Sequence, residues 1–333
     1  MKVAVFDTHT FDREALTLAN QGQHDLRFLN LRLSHQTAEL AKGCDAICCF
    51  ANDKADAKAL EVLAGIGVRL IALRSAGFNH VNLTAANQFK ITVVRVPEYS
   101  PYAVAEYALA LLLCHNRKIH RAHDRVRELN FSLDGLTGFD VHGKNIGIIG
   151  TGRIGKVFAS LLSGFGCRIL LNDKIPDLNW SQKINAEYVS AEFLYKNSDV
   201  ISLHLPLSPG TRHMIDKKAF DQMKSNVNLI NTGRGGLVET AALIDALKNK
   251  KIAGACLDVY EEEEGVFFSD HSDSGITDDV LARLLTFPNV LITSHQAFLT
   301  KEALKNIADT TISSLTKFER HEDLAGVIVS SGY

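Results

Sequence analysis

Three separate polar stretches hold the side chains best suited to chemistry. Asn231-Thr232-Gly233-Arg234-Gly235-Gly236 sets an arginine between glycines, so its guanidinium has room to project as a two-pronged clamp for a carboxylate. Ser294-His295-Gln296-Ala297 offers an imidazole, the side chain that exchanges a proton near neutral pH. Asp258-Val259-Tyr260 leads into four consecutive glutamates, residues 261–264, any of which could hold such an imidazole charged. Together the three types suit hydride transfer on a 2-keto acid. Arg234 would grip the substrate carboxylate and polarise the carbonyl, and His295 would protonate the carbonyl oxygen and take the proton back in reverse. Each residue alone has a plainer reading, as an ion-pair partner, a structural histidine or a solvated acid. Their positions unite them, because each stretch follows an apolar run (227–230, 253–257 and 290–293) that reads as a strand. Open α/β sheets bind ligands at that edge.

A glycine-rich loop supplies the missing reductant site. Gly150-Thr151-Gly152-Arg153-Ile154-Gly155 follows the apolar run 146–149 and opens a helical pattern of Ile154, Val157, Phe158, Leu161 and Leu162. In G-x-G-x-x-G the first glycine permits the tight turn, the second lets a pyrophosphate approach the backbone, and the third lets helix pack on strand. The helix start presents unpaired N–H groups to the phosphates. Asp173, about twenty residues on, ends the next expected strand. A carboxylate there accepts from a ribose 2′-hydroxyl and repels a 2′-phosphate, which selects NAD over NADP.

Elements that could position these groups recur along the whole chain. Residues 1–100 alternate expected strands at 3–6, 26–29, 46–50, 69–73 and 91–94 with helical patterns at 11–20, 36–41, 55–64 and 83–88. Pro97 and Pro101 then punctuate the chain, and one long helix is expected from 103 to about 127. After a loop at 133–143, six further strands are expected at 145–149, 168–172, 200–203, 227–230, 253–257 and 290–293. Strand–helix alternation at this pitch gives parallel sheets covered on both faces. The fold class is therefore α/β, with two doubly wound parallel-sheet domains. A last helix, 301–320, has no place in the second sheet and should return to the first. The first domain is then discontinuous, residues 1–100 with 299–333, and the second, Rossmann-like, runs over 101–298.

Composition narrows the function classes. The 333 residues carry 36 Lys and Arg against 38 Asp and Glu, a net charge of −2, and this balance argues against nucleic-acid or anionic-membrane binding. No apolar run approaches a membrane span, and the start reads as a strand rather than a signal peptide. Six cysteines without C-x-x-C spacing suggest reduced thiols and a cytoplasmic protein, and no metal site is expected. His115, His120 and His123 fall in a basic stretch that reads as a solvated or subunit-facing helix end. His204 reads as architecture beside the cofactor.

The chain resembles the D-specific 2-hydroxyacid dehydrogenase family over nearly its whole length, closest to the fermentative D-lactate branch. The resemblance is carried by Val96-Pro97-Glu98-Tyr99-Ser100-Pro101-Tyr102-Ala103-Val104-Ala105-Glu106, by Asn130-Phe131-Ser132-Leu133 and by the dinucleotide loop. Asn231-Thr232-Gly233-Arg234-Gly235, Asp258-Val259-Tyr260-Glu261 and His295-Gln296-Ala297-Phe298-Leu299-Thr300 complete it. It implies NAD as cofactor, reversible reduction of pyruvate to D-lactate, and Arg234, Glu263 and His295 as the catalytic set. Glu263 is the second Glu of the branch's D-V-Y-E-x-E pattern. It also implies a flavodoxin-like first domain for substrate, with the active site in the cleft between domains. Ala76 and Gly77 would bind substrate through backbone N–H groups, and Tyr99 and Phe298 through their rings. Cofactor contacts would come from Arg153, Ile154, Asp173, Pro206, Thr211, Thr232 and Asp258 beside the glycines. Homodimers or homotetramers would form through the cofactor domain around 103–127. Two other readings stay open: a dehydrogenase for larger 2-keto acids, and an NAD-sensing binding protein.

Overall fold

Short apolar runs buried on both faces form the inner strands, as parallel sheets covered by helices require, and the edge strands are only partly buried. The computed structural model describes residues 1–329 and divides the chain into two units, residues 1–100 with 298 onward and Pro101–Ala297. The expected stretch 330–333 lies outside the described residues.

The first unit begins with β1 (Lys2–Val5), α1 (Thr10–Asn20) and β2 (Asp25–Phe28), and continues through β3 (Ala46–Cys49), α2 (Ala57–Gly65), β4 (Leu70–Leu73), α3 (Leu83–Gln88) and β5 (Thr92–Val94). All five strands are parallel in the order β2-β1-β3-β4-β5. The expected helix at 36–41 is only a 3₁₀ turn, Ala38–Ala41. Side-chain caps set the helix starts: Asp56 accepts from the Ala59 N–H at 2.9 Å, and Asn82 from Ala85 at 3.0 Å.

The second unit opens with α4 (Pro101–Asn116) and α5 (Ile119–Arg127). The single helix expected over 103–127 is thus broken, with Lys118 in the left-handed region at φ 52°. The break falls where burial ends. Ala105, Ala108, Leu111 and Leu112 of α4 are core residues, whereas α5 buries none. The Asn116 amide closes the junction, donating to the Phe139 carbonyl at 2.7 Å and accepting its N–H at 2.8 Å. His115 is buried rather than solvated: its Nε2 lies 3.2 Å from Asn228 Oδ1, and burial pushes the ring down to about 4.

The chain then alternates through β6 (Asn145–Ile149), α6 (Arg153–Leu162), β7 (Arg168–Asn172), α7 (Leu178–Lys183), β8 (Ala186–Tyr188), α8 (Ala191–Asn197) and β9 (Val200–Leu203). It ends with α9 (Lys217–Gln222), β10 (Asn228–Asn231), α10 (Thr240–Lys248), β11 (Gly254–Leu257), α11 (Asp279–Leu285) and β12 (Val290–Ile292). Seven parallel strands, not six, lie in the order β12-β11-β10-β9-β6-β7-β8. The unexpected one, β8, is three residues long, too short for alternation to show in sequence. β6 pairs with β7 on one side and β9 on the other, so chain order reverses at its end. The last helix, α12 (Lys301–Glu319), is capped by Thr300 and packs in the first unit, where Ala308, Ile312 and Leu315 meet Leu16 and the sheet.

Beneath the first sheet's carboxyl edge lies a buried charge network. Arg74 ion-pairs with Asp12 at 3.1 Å and donates to the Phe6 and Asp7 carbonyls at 3.0 and 2.9 Å. Asp53, fully buried, accepts the N–H groups of Leu33 at 2.5 Å and Phe50 at 2.6 Å. Burial pushes its carboxyl up to about 7 against those donors and the Arg74 charge. An unfolded carboxyl titrates near ~3.9, so the folded chain holds this proton more tightly and gains stability as pH falls from about 8 towards 5. Asp53→Asn removes that gain. Denaturant unfolding should show the stability gap between wild type and variant widening from pH 8 to pH 5.5, and a gap independent of pH would refute the assignment.

Candidate active site

The three glycines of the phosphate loop meet three different demands. Gly150 lies at φ 93°, and a Cβ there would strike the His204 carbonyl at 2.5 Å. Gly155 sits so close to the Gly150 carbonyl that a Cβ would collide with it, which fixes α6 against the end of β6. Nothing lies within 4 Å of a Cβ at Gly152, the N-cap of α6, and no side chain caps that helix. Its first N–H groups are therefore available to an anion over an open glycine. Arg153 is exposed at the helix start, and Ile154 packs partly into the core below it.

Asp173 follows β7 and is already held in place. Its Oδ2 accepts the Thr151 N–H at 2.6 Å and the Thr151 hydroxyl at 3.1 Å, while Oδ1 accepts the Ile175 N–H at 3.0 Å. Partial burial would raise the carboxyl, but donors from Ile175, Thr151 and Lys174 outweigh it and hold it below the usual range. Tyr188, on the strand the sequence did not reveal, places its hydroxyl 2.8 Å from Thr151 Oγ1. An ionised carboxylate beside an open glycine turn fits the ribose of NAD and opposes a 2′-phosphate.

Arg234, Glu263 and His295 follow β10, β11 and β12, three neighbouring strands of one sheet. Asn231 shapes the arginine loop, donating to the Arg234 carbonyl at 2.9 Å and accepting the Gly233 N–H at 3.1 Å. Gly235 presses against Tyr260, where a Cβ would collide with the carbonyl group. Glu263 settles among the four glutamates as the histidine's neighbour: its Oε1 lies 2.8 Å from His295 Nδ1, and its Oε2 accepts the Tyr260 N–H at 3.3 Å. Nε2 is then the nitrogen left for a reacting group. The Phe268 ring lies 5.8 Å from the imidazole, tilted by 34°.

Glu261, by contrast, is tied elsewhere. It bonds His213 Nε2, accepts from Arg212 at 3.3 Å and from the Thr240 N–H and hydroxyl at 3.2 and 3.0 Å. Sequence reasoning could not separate it from its neighbours, because its partners lie 21 to 49 positions away.

Asp258 is fully buried, and its carboxylate serves the chain itself. Oδ1 accepts the Thr293 hydroxyl at 2.6 Å and the Gln296 N–H at 2.9 Å, and Oδ2 accepts the Ala297 N–H at 2.8 Å. Its backbone carbonyl takes the His295 N–H at 2.7 Å. Burial pushes the carboxyl above its usual range, against those donors and the His295 charge. Of the other expected cofactor residues, Thr211 folds its hydroxyl onto the Pro206 carbonyl at 2.7 Å and receives the Ser208 N–H at 2.8 Å, bracing that loop. Thr232 keeps a buried hydroxyl oxygen with no hydrogen-bond partner among the described residues. Such an orphan costs stability unless a bound molecule satisfies it, so it fits the cofactor. His204 lies 2.9 Å from Ser202 Oγ and 5.0 Å from the Phe158 ring, and desolvation pushes it down to about 3.

In the first unit Tyr99 and Phe298 meet at 6.3 Å between ring centroids, and Phe11 and Phe50 flank Phe298 at 6.4 and 6.1 Å. Ala76 and Gly77 follow β4, next to the strand that precedes Tyr99. Ser75 Oγ donates to the Gly77 carbonyl at 2.7 Å, and Arg95 Nη1 to the Ala76 carbonyl at 3.0 Å. Arg95 carries no sequence signal for this role. Among the described residues no group of three or more His, Cys, Asp or Glu could hold a metal ion.

Residues 109–297 match the model of the D-isomer specific 2-hydroxyacid dehydrogenase NAD-binding domain. A 2-hydroxyacid dehydrogenase homolog of Zymomonas mobilis is 48% identical over 331 residues, 99% of this chain and all of the relative. The D-lactate dehydrogenase of Escherichia coli is 46% identical over 330 residues, with the same coverage. The solved apo-structure of the Escherichia coli enzyme gives a TM-score of 0.91 at 45% identity, covering 99% of this chain and 100% of that one. A structure titled as the pyruvate reductase of Chlamydomonas reinhardtii gives 0.93 at 41%, covering 98% of each chain.

The Asp258 clamp makes a stability prediction. In Asp258→Asn one carboxylate oxygen becomes an NH₂ group, and a donor faces either Ala297 or the pair of Thr293 and Gln296. Leaving buried donors unpaired costs about 1–3 kcal/mol, so the denaturant midpoint should fall accordingly. An unchanged midpoint would show that residues 293–297 are held by something else.

Proposed function

Because the chain belongs to the D-isomer specific 2-hydroxyacid dehydrogenase family and its second unit is the NAD-binding domain, we propose that it reduces pyruvate to D-lactate with NADH, reversibly. The observation that carries the proposal is the 2.8 Å contact of His295 Nδ1 with Glu263, on loops beside the one bearing Arg234. The similarity to enzymes named D-lactate dehydrogenase supports the substrate. The glycine loop, Asp173 and the orphaned Thr232 hydroxyl would hold NADH, with Arg153, Ile154, Pro206 and Thr211 around them. When bound, NADH supplies the hydride that reduces the keto carbon.

This chain's own groups do the rest. Arg234 pairs its guanidinium with the keto-acid carboxylate and draws electron density from the carbonyl. In the first unit, Tyr99, Phe298 and the backbone of Ala76 and Gly77 are the groups proposed to bind substrate. Glu263 faces Nδ1, fixing the ring, and His295 delivers the proton from Nε2 to the carbonyl oxygen. In lactate oxidation His295 is the base. Asp258 acts one layer behind, holding the histidine's loop. The six free thiols and the lack, among the described residues, of any helix long and apolar enough to cross a membrane support a cytoplasmic assignment. Exposed Ile119 and Val126 on α5, with Leu129, Phe131 and Leu133 after it, support a homodimer or homotetramer built on this unit.

Following NADH absorbance with and without pyruvate tests the reading directly. Consumption only with pyruvate is expected, and none with any 2-keto acid would leave an NAD-binding protein without this activity. Several relatives carry only the generic name, so kcat/KM for pyruvate, phenylpyruvate and 2-ketoisocaproate decides between lactate and larger products. Losing the general acid in His295→Ala should cost about 10²–10⁴-fold in kcat, with NADH affinity retained. Arg234→Ala should lower kcat/KM by roughly 10²–10³-fold, and near wild-type turnover would remove the clamp from the mechanism. Glu263→Ala should lower kcat with NADH affinity retained, because the ring loses the acceptor at Nδ1 that orients it. An unchanged kcat would detach Glu263 from the histidine.

A further inference from the structure

At the opposite, amino-terminal edge of the second sheet lies a cavity of about 330 Å³ that the proposed reaction does not use. It opens where β6, β9, β10 and β11 begin, roofed by the junction of α4 and α5. Volumes from about 300 Å³ upward are those of small-molecule sites.

The neighbouring backbone is shaped around it. A Cβ at Gly254 would strike His115 Nε2 at 2.5 Å, so the start of β11 must be bare for the buried imidazole to fit. A Cβ at Gly138 would meet the Asn116 carbonyl at 2.6 Å, and that glycine lets the rim loop close onto the end of α4.

The lining is cationic. Lys118 and Lys144 face a single acid, Asp199, and burial holds the His120 imidazole below its usual range, so the ring lines the cavity uncharged at neutral pH. That acid is already satisfied, by Lys224 at 3.0 Å, Asn226 at 3.2 Å and the Asn145 N–H at 2.9 Å. The Lys118 ammonium donates to the Thr137 carbonyl at the rim. Lys144 pairs with no carboxylate among the described residues. The nine-residue helix α5 starts here with Lys118 as its N-cap and no side chain capping its first N–H groups, which leaves donors beside the cavity.

We propose that this cavity binds a small organic dianion, a dicarboxylate or phosphate ester, at a site separate from the residues that grip the keto acid. Lys144 and Lys118 face its charges, the His120 ring and the α5 N-terminus add N–H donors, and neutral His115 with Asn228 forms the polar floor. A ligand here ties α4, α5 and the rim loop to the sheet.

Calorimetric titration of the full chain, with NADH saturating, tests this with malonate and inorganic phosphate as probes. One saturable site per chain is expected. Lys144→Glu should abolish it and Lys144→Gln weaken it by about 10–100-fold, the loss of one charge-assisted hydrogen bond. Pyruvate kcat/KM should stay within about twofold of wild type in both variants, since Lys144 has no part in the chemistry. Tighter malonate would identify a dicarboxylate, and tighter phosphate a phosphate ester. No saturable binding of either probe, or binding unaffected by Lys144→Glu, would overturn the proposal.

Discussion

One buried carboxylate holds the histidine in reach of chemistry. Residues 293–297 leave β12 as irregular backbone, with His295 itself in the left-handed region at φ 49°. Such a segment has no ladder to satisfy its N–H groups, and unsatisfied donors are costly when buried. Asp258 supplies the acceptors, two from its side chain to Gln296 and Ala297 and one from its backbone to His295. Because it ends the adjacent strand, it transfers the rigidity of the sheet to a loop that has none of its own. Glu263 follows from the same strand, so both anions that govern the imidazole share one origin.

The adjoining loop depends on close approach rather than charge. Gly235 lies against the Tyr260 carbonyl, and Asn231 closes the turn beneath it. Glu261 fastens the far side to His213 and the start of α10. Arg234 and Glu263 are therefore set by one packed seam across β10 and β11. Two of the four glutamates divide the work, one for the imidazole and one for the seam.

Much of this was legible because it is local. The alternation of strands and helices, the glycine loop, Asp173 and the stretches bearing Arg234 and His295 all follow from spacing and residue type. What escaped depends on distant partners or very short elements. β8 has three residues and no periodicity, yet it carries Tyr188 to Thr151. The helix expected over 103–127 kept its pattern past Lys118, but only its first part has a core to lie on. Asp258 reads as a cofactor residue by family position, and its service to Thr293, Gln296 and Ala297 appears only when β11 and β12 lie side by side.

The Thr151, Asp173 and Tyr188 triangle bears on how fast a nucleotide is captured. A free aspartate rotates among several side-chain conformations, and a partner must wait for the right one and meet the entropic cost of freezing it. Here two backbone amides and a hydroxyl have immobilised the carboxylate beforehand. A ribose hydroxyl brought to Asp173 would therefore meet an acceptor already fixed in place, with no side chain left to order.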